Sequence, residues 1–173
     1  MWGASTLTVL AITSLIVIAP LTAESHVSHS IYRAFAALCH QLPERSYFID
    51  GHKLAVCSRC TGLYAGFAFT MLLYPLIRPL NTIDWPPRER LILAAVPMAI
   101  DFGLTFFGIW ENTHTSRLLT GLLLGSVSVF YVMPGLAELS TRKTRTSRPV
   151  LVLGSPAPMT SGPSDYSAPE RRI

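Results

Sequence analysis

Residues 61–80 read TGLYAGFAFTMLLYPLIRPL, and this stretch decides the fold class. Its one charge, Arg78, lies near the far end. As a helix rising about 1.5 Å per residue, the run is long enough to cross the roughly 30 Å hydrocarbon core of a bilayer. Pro75 and Pro79 are expected to close it, because proline cannot donate the next helical hydrogen bond. Gly62 and Gly66 form a small-xxx-small face on which a second helix can approach closely.

Working outward, three more runs have the same character. Gly3 to Ala23 carries no charge. A cleaved signal peptide ending near Leu21-Thr22-Ala23 is the rival there, but no Lys or Arg precedes the apolar run, so an uncleaved span is expected. A further span is expected over about Leu91 to Trp110, with Pro97, Asp101, Thr105 and Gly108 on one face. The last covers about Arg117 to Leu139 and carries Gly121 and Gly125. TGLLLG in this span echoes TGLYAG in the second, as a duplicated hairpin or by chance.

Composition agrees with a membrane solvent. Half of the 173 residues are of the AVILMFWYC set, 14% are charged and the mean hydropathy is +0.40. A soluble domain usually carries about 25% charge. The net charge of +4 is concentrated at helix ends and in the tail rather than on a basic face interleaved with aromatics, so no nucleic-acid partner is expected. The expected fold is an all-α polytopic membrane protein of about four transmembrane helices over 1–144, with the lipid bilayer as its partner. A small cap over 24–60 lies outside the membrane, and 145–173 is a disordered tail rich in Pro, Ser, Gly and Thr.

The cap is expected to hold a short amphipathic helix from Ser30 to Cys39, with Ile31, Ala34, Phe35 and Leu38 on one stripe. Pro43 ends it. Two short β-favouring runs then flank Asp50-Gly51, which is a hairpin signal. Such a hairpin folds Cys57 back toward Cys39. The run RKTRTSR after the last span places the tail in the cytoplasm, and Arg78, Arg88 and Arg90 favour the same side for the second linker. The Cys cap then faces outward. In either orientation, two crossings separate the cap from the loop 111–116, so Glu111, His114 and Arg117 share its side.

All three cysteines lie in this cap or at its edge. An odd number leaves one thiol over in any disulfide framework. Cys57-Ser-Arg-Cys60 has the spacing to bind one metal or close a small disulfide, and a helix N-terminus with Arg59 favours thiolate in both cases. Cys39 with His40 beside it completes a donor set of three thiolates and one imidazole for a transition-metal site, zinc first, with His114 as the other nitrogen donor. An alternative is a thiol–disulfide oxidoreductase in which Cys39 exchanges with the C-x-x-C pair and quinone takes the electrons. A third is a structural or accessory subunit whose cysteines only staple the cap.

Around the sulfurs, Arg45, Arg59 and Arg117 can hold an anion bidentately or contact lipid headgroups. Asp101, costly inside a span, is either a proton relay or counter-charge, or an interhelical hydrogen-bond partner of Thr120 or Ser126. Glu44 and Glu111 have no fixed separation as an acid and base, and His26, His29 and His52 are expected in solvent. The glycine faces, Gly62 with Gly66 and Gly121 with Gly125, also suit an oligomer contact. No phosphate-binding glycine loop, serine elbow or H-E-x-x-H pattern is present.

The order C-H-Q-x-P-E-R-S from Cys39, C-x-R-C-T-G-x-Y-x-G from Cys57, then Asp101, then Arg117 before T-G-x-x-x-G resembles the small bacterial membrane proteins grouped as domain-of-unknown-function family 2085. The resemblance covers about 30–138. It implies a multi-pass protein of the bacterial inner membrane and brings no established activity with it.

Overall fold

The computed structural model describes residues 2–80 and 84–146, with side chains up to Leu139. Most of the expected tail lies outside the described residues. The chain forms helices α1 (Trp2–Leu21), α2 (His26–Ala36), α3 (Ser58–Ile77), α4 (Arg88–Phe106) and α5 (His114–Thr146). Between α2 and α3 come a 3-10 turn at Pro43–Arg45 and a two-stranded hairpin, β1 (Phe48–Ile49) and β2 (His52–Lys53).

The glycine faces fix the core of the bundle. A side chain on Gly62 would strike the carbonyl oxygen of Leu118, and one on Gly66 that of Leu122. Reciprocally, a side chain on Gly121 would strike the oxygen of Arg59 and one on Gly125 that of Leu63, each well inside the 3.0 Å that real Cβ atoms keep. Contacts climb both helices together, from this crossing to Met71 and Tyr74 packed with Val129 and Met133. Thus α3 and α5 run parallel, backbone against backbone, in two-fold-like register. The two faces expected to serve an oligomer are occupied by each other within one chain.

Helices α1 and α4 run the opposite way. The indole of Trp2 donates to the Met71 carbonyl at 3.0 Å, while Ile16 and Ala19 at the far end of α1 pack with the cap around Val56. At the start of α4, Pro87 accepts from the Tyr131 hydroxyl at 2.6 Å, and at its end Asp101 meets the first turn of α5. Within α1 the apolar surroundings leave threonine hydroxyls few partners, and Thr13 donates to the Val9 carbonyl at 2.8 Å.

Among the described residues, three helical segments are long and apolar enough to cross a membrane: Trp2–Leu21, Ser58–Ile77 and His114–Leu139. The third expected span does not reach this measure. Its helix starts early, at Arg88 after Pro86-Pro87, so Glu89, Arg90 and Asp101 all fall within its 19 residues. Elsewhere the boundaries shift by physical detail. Ser25 caps α2 by accepting from the Ser28 amide at 3.2 Å, and α2 ends at Ala36, leaving Cys39 beyond it. Pro75 lies inside α3, which ends two residues later. The helix expected as the last span begins at His114 and continues past Leu139 to Thr146.

Candidate functional site

The cap is built to turn Cys39 toward α3. After α2, the amides of Leu38 and Cys39 both return to the Phe35 carbonyl. Gln41 then takes φ 51, a left-handed conformation that costs a non-glycine residue energy unless its surroundings fix it. They do: its amide nitrogen donates to the Tyr32 carbonyl at 2.7 Å, and its own carbonyl accepts from Lys53 Nζ at 2.7 Å. The hairpin forms where expected, with Asp50 at φ 49 and Gly51 at φ 80, the two positive values of a type I′ turn. Tyr32 donates to the Lys53 carbonyl, which locks the hairpin on α2. Leu54, Ala55 and Val56 are then buried with Ile31 and Phe35, and the chain enters α3 beside Cys39.

The three sulfurs meet there. Those of Cys39, Cys57 and Cys60 all lie within 4.8 Å of one another, and all three thiols are free. Cys39 is buried, and the Cys57 amide donates to its sulfur at 3.2 Å. Hydrogen bonds from the Cys57 and Cys60 side chains hold the Cys39 thiol well below the usual thiol range, against the opposing push of burial. This is the electrostatics of a thiolate carrier. For comparison, three thiolates bound at ~2.3 Å to a tetrahedral zinc lie ~3.8 Å apart, a separation inside the 4.8 Å that bounds the three sulfurs.

Neither histidine proposed as a fourth donor is gathered with the sulfurs. His40 is exposed and lines the cavity beside them. The His114 ring instead packs against Tyr47 with centroids 5.4 Å apart, its backbone carbonyl accepting from the Tyr47 hydroxyl at 3.2 Å. His114 Nδ1 is buried without a partner. His26, His29, His52, Glu44 and Glu111 are all exposed, as solvated side chains should be.

Asp101 ties the ends of three helices together. Its carboxylate accepts from Arg59 Nη2 at 2.5 Å, from Asn112 Nδ2 at 2.6 Å and from Ser116 Oγ at 2.8 Å. Asn112 Oδ1 in turn accepts from Arg117 Nε at 2.6 Å. The partners expected for Asp101 are otherwise engaged. Thr120 bonds back to the Ser116 and Arg117 carbonyls, and Ser126 crosses to the Gly66 carbonyl at 3.3 Å. Both lie further along α5, whereas Asp101 sits in the last turns of α4, level with the start of α5. Phe102 lies under the Arg59 guanidinium, 5.7 Å from its ring centroid.

Beside the sulfurs opens a cavity of about 400 Å³. Arg45, Arg59 and Arg117 line it, with Cys39, Cys57, Cys60 and Asn112, and Phe102 and Phe106 form its apolar wall. Its chemistry therefore joins soft donors, concentrated positive charge and an apolar side.

The family model described as Predicted membrane protein (DUF2085) matches residues 39–131, from the first site cysteine into the upper half of α5. The chain belongs to this family. An uncharacterised protein of Methanocaldococcus jannaschii is 39% identical over 117 residues, 68% of this chain and 75% of its own. An uncharacterised protein of Methanothermobacter thermautotrophicus is 38% identical over 91 residues, 53% of this chain and 80% of its own. No solved structure matches. Both relatives are archaeal and do not bear out the bacterial inner membrane that the resemblance implied.

The family's matched stretch holds every residue of the sulfur cluster and the Asp101 network and leaves out α1 and α2. Sequence reasoning missed Asn112, Ser116 and Gln41 as parts of the site. Asn112 and Ser116 flank His114 in a short polar stretch before Arg117, and an amide able to bond a carboxylate and a guanidinium at once was the available signal.

Proposed function

We propose that this membrane protein holds a soft divalent metal ion, zinc foremost, through Cys39, Cys57 and Cys60 at one membrane face. The convergence of the three sulfurs carries the reading. Sets of three thiolates suit zinc. All three cysteines line the cavity, so a fourth ligand would come from its side. His40 on the rim completes a closed structural site if its ring turns inward, and His114 does so only by leaving Tyr47. With neither, the fourth position stays open to a small ligand, as in catalytic zinc sites. We place α4 across the bilayer as a fourth span, the cap on the outer face and the C-terminal end of α5 in the cytoplasm, in line with the Arg and Lys residues after Leu139.

Metal analysis of the purified full-length protein tests this. About one zinc per chain is expected in the wild type and almost none in Cys57→Ser/Cys60→Ser. A double variant that keeps the wild-type metal content would sink the reading.

Thiol exchange is the second reading, favoured by the depressed Cys39 thiol beside two free thiols. Here Cys57 and Cys60 give two electrons and two protons to a quinone, forming a disulfide and a quinol; the Cys39 thiolate then attacks one sulfur of that disulfide, forming a Cys39 disulfide and releasing the other cysteine as thiolate. Thiol trapping in intact cells is expected to show a redox-dependent Cys39 mixed disulfide. A Cys39 thiol unchanged across redox conditions counts against it.

A further inference from the structure

We propose that the cavity beside the sulfurs is a binding site for a phosphate-class oxyanion, clamped by Arg45, Arg59 and Arg117. The metal reading is not needed for this. It rests on charge and on unused donors.

Three guanidinium groups line one cavity of about 400 Å³, and Arg117 lies within electrostatic reach of both others. One carboxylate, Asp101, faces them. Two positive charges remain, or one where Cys39 is a thiolate, and a phosphate group carrying about −1.5 to −2 near neutral pH would offset them. Arg59 and Arg117 are half-buried and Arg45 is exposed at the cavity's edge, so mutual repulsion, and for the first two desolvation, opposes gathering them without a compensating anion.

The donors are also left over. Asp101 takes one nitrogen of Arg59, and Arg59 Nε is buried with no partner. Asn112 takes only the Nε of Arg117, so the two terminal nitrogens of that guanidinium make no hydrogen bond among the described residues. Arg45 forms no ion pair with a described carboxylate, and its backbone is fixed because its carbonyl accepts from Ser58 Oγ at 3.0 Å. Asp101 and Asn112 thus orient two of the three forks, and the terminal nitrogens of Arg117 with the exposed Arg45 guanidinium are left for a ligand. A phosphate, with three or four oxygens, can engage several forks at once, whereas a lone carboxylate offers two oxygens.

A free phosphate and an anionic lipid headgroup present the same chemistry here. Leu38, Leu42, Phe102 and Phe106 line the same cavity and are exposed, which supplies a surface for an acyl chain in the lipid case. Two arms separate the sources. In the first, inorganic phosphate is titrated against full-length protein in phosphatidylcholine nanodiscs. In the second, native mass spectrometry counts phosphatidylglycerol retained from equimolar phosphatidylcholine–phosphatidylglycerol micelles.

Saturable binding is expected in one arm, weakened tenfold or more by Arg45→Gln and by Arg117→Gln, with Arg45→Lys recovering part of it. Binding of phosphate identifies a soluble ligand, and retention of phosphatidylglycerol identifies a headgroup. Absence of binding in both arms overturns the proposal, as does binding that both Gln variants leave unchanged. Zinc content measured on the same samples keeps the two readings apart. Arg45→Gln is expected to retain the wild-type metal content, and a variant that loses zinc while no anion binds the wild type would assign the arginines to the thiolates instead.

Discussion

Asp101 shows how one side chain can decide the arrangement of three helices. It lies on α4, yet its oxygens are bonded to Arg59 of α3, Ser116 of α5 and Asn112 of the loop between. A carboxylate so placed is stabilised by charge and by directed donors, and its removal leaves a largely buried guanidinium without a counter-charge. Asp101→Ala is therefore expected to lower stability by about 1–3 kcal/mol. Asp101→Asn, which keeps one acceptor for Ser116 or Asn112, should lose less. Thermal unfolding in detergent measures both, and an Asp101→Ala midpoint equal to wild type would show that Arg59 finds another partner. This role was only half legible in the sequence. An acid within an apolar run announces a partner, but its identity depends on how far α4 reaches before Gly108, at φ 67, turns the chain. The cysteines were more legible, since Asp50-Gly51 dictates a hairpin and the hairpin returns Cys57 to Cys39. The fourth donor was not, because adjacency in sequence placed His40 beside Cys39 while the strained turn at Gln41 left its ring exposed.

At the scale of elements, the crossing of α3 and α5 depends on the absence of four side chains. The atoms that a new Cβ would strike are backbone carbonyls, which cannot swing aside as a flexible side chain can. Gly62→Ala or Gly125→Ala must therefore part the helices, at a cost of about 1–3 kcal/mol. Gly103 is the control within the same bundle. It is helical, with nothing within 4 Å of the position a Cβ would take, so Gly103→Ala should raise stability by about 0.5–1 kcal/mol. Opposite shifts in the unfolding midpoint are expected, and a destabilising Gly103→Ala would mean that α4 packs against something further. Here the sequence displayed the motif and concealed its partner. TGLYAG and TGLLLG each marked a close-approach face, but a face for a second copy and a face for the neighbouring span look the same in one dimension. Their similarity has a physical reason in the structure, because a two-fold-like crossing asks the same of both helices.

For the whole molecule, the parallel course of α3 and α5 constrains what α4 can be. Two apolar helices that cross a bilayer in the same direction must be joined by a segment that brings the chain back. The 19 residues of α4 span ~28 Å, close to the ~30 Å of hydrocarbon, and its charges lie at its entrance and in the Asp101 network rather than in mid-helix facing lipid. Hydropathy alone undervalues such a helix, since it counts Asp101 as exposed charge when Arg59, Asn112 and Ser116 neutralise it. Single cysteines introduced into a Cys39→Ser/Cys57→Ser/Cys60→Ser background test the consequence with a membrane-impermeant maleimide. Gly51→Cys in the hairpin and Thr113→Cys in the loop before α5 are expected to label from one side, and Arg88→Cys at the start of α4 from the other. The parity holds whichever side faces the cytoplasm, so it does not depend on the weaker signal of the basic residues. If Arg88→Cys and Thr113→Cys label from the same side, α4 does not cross, and the network that assembles the site must then lie along the membrane surface.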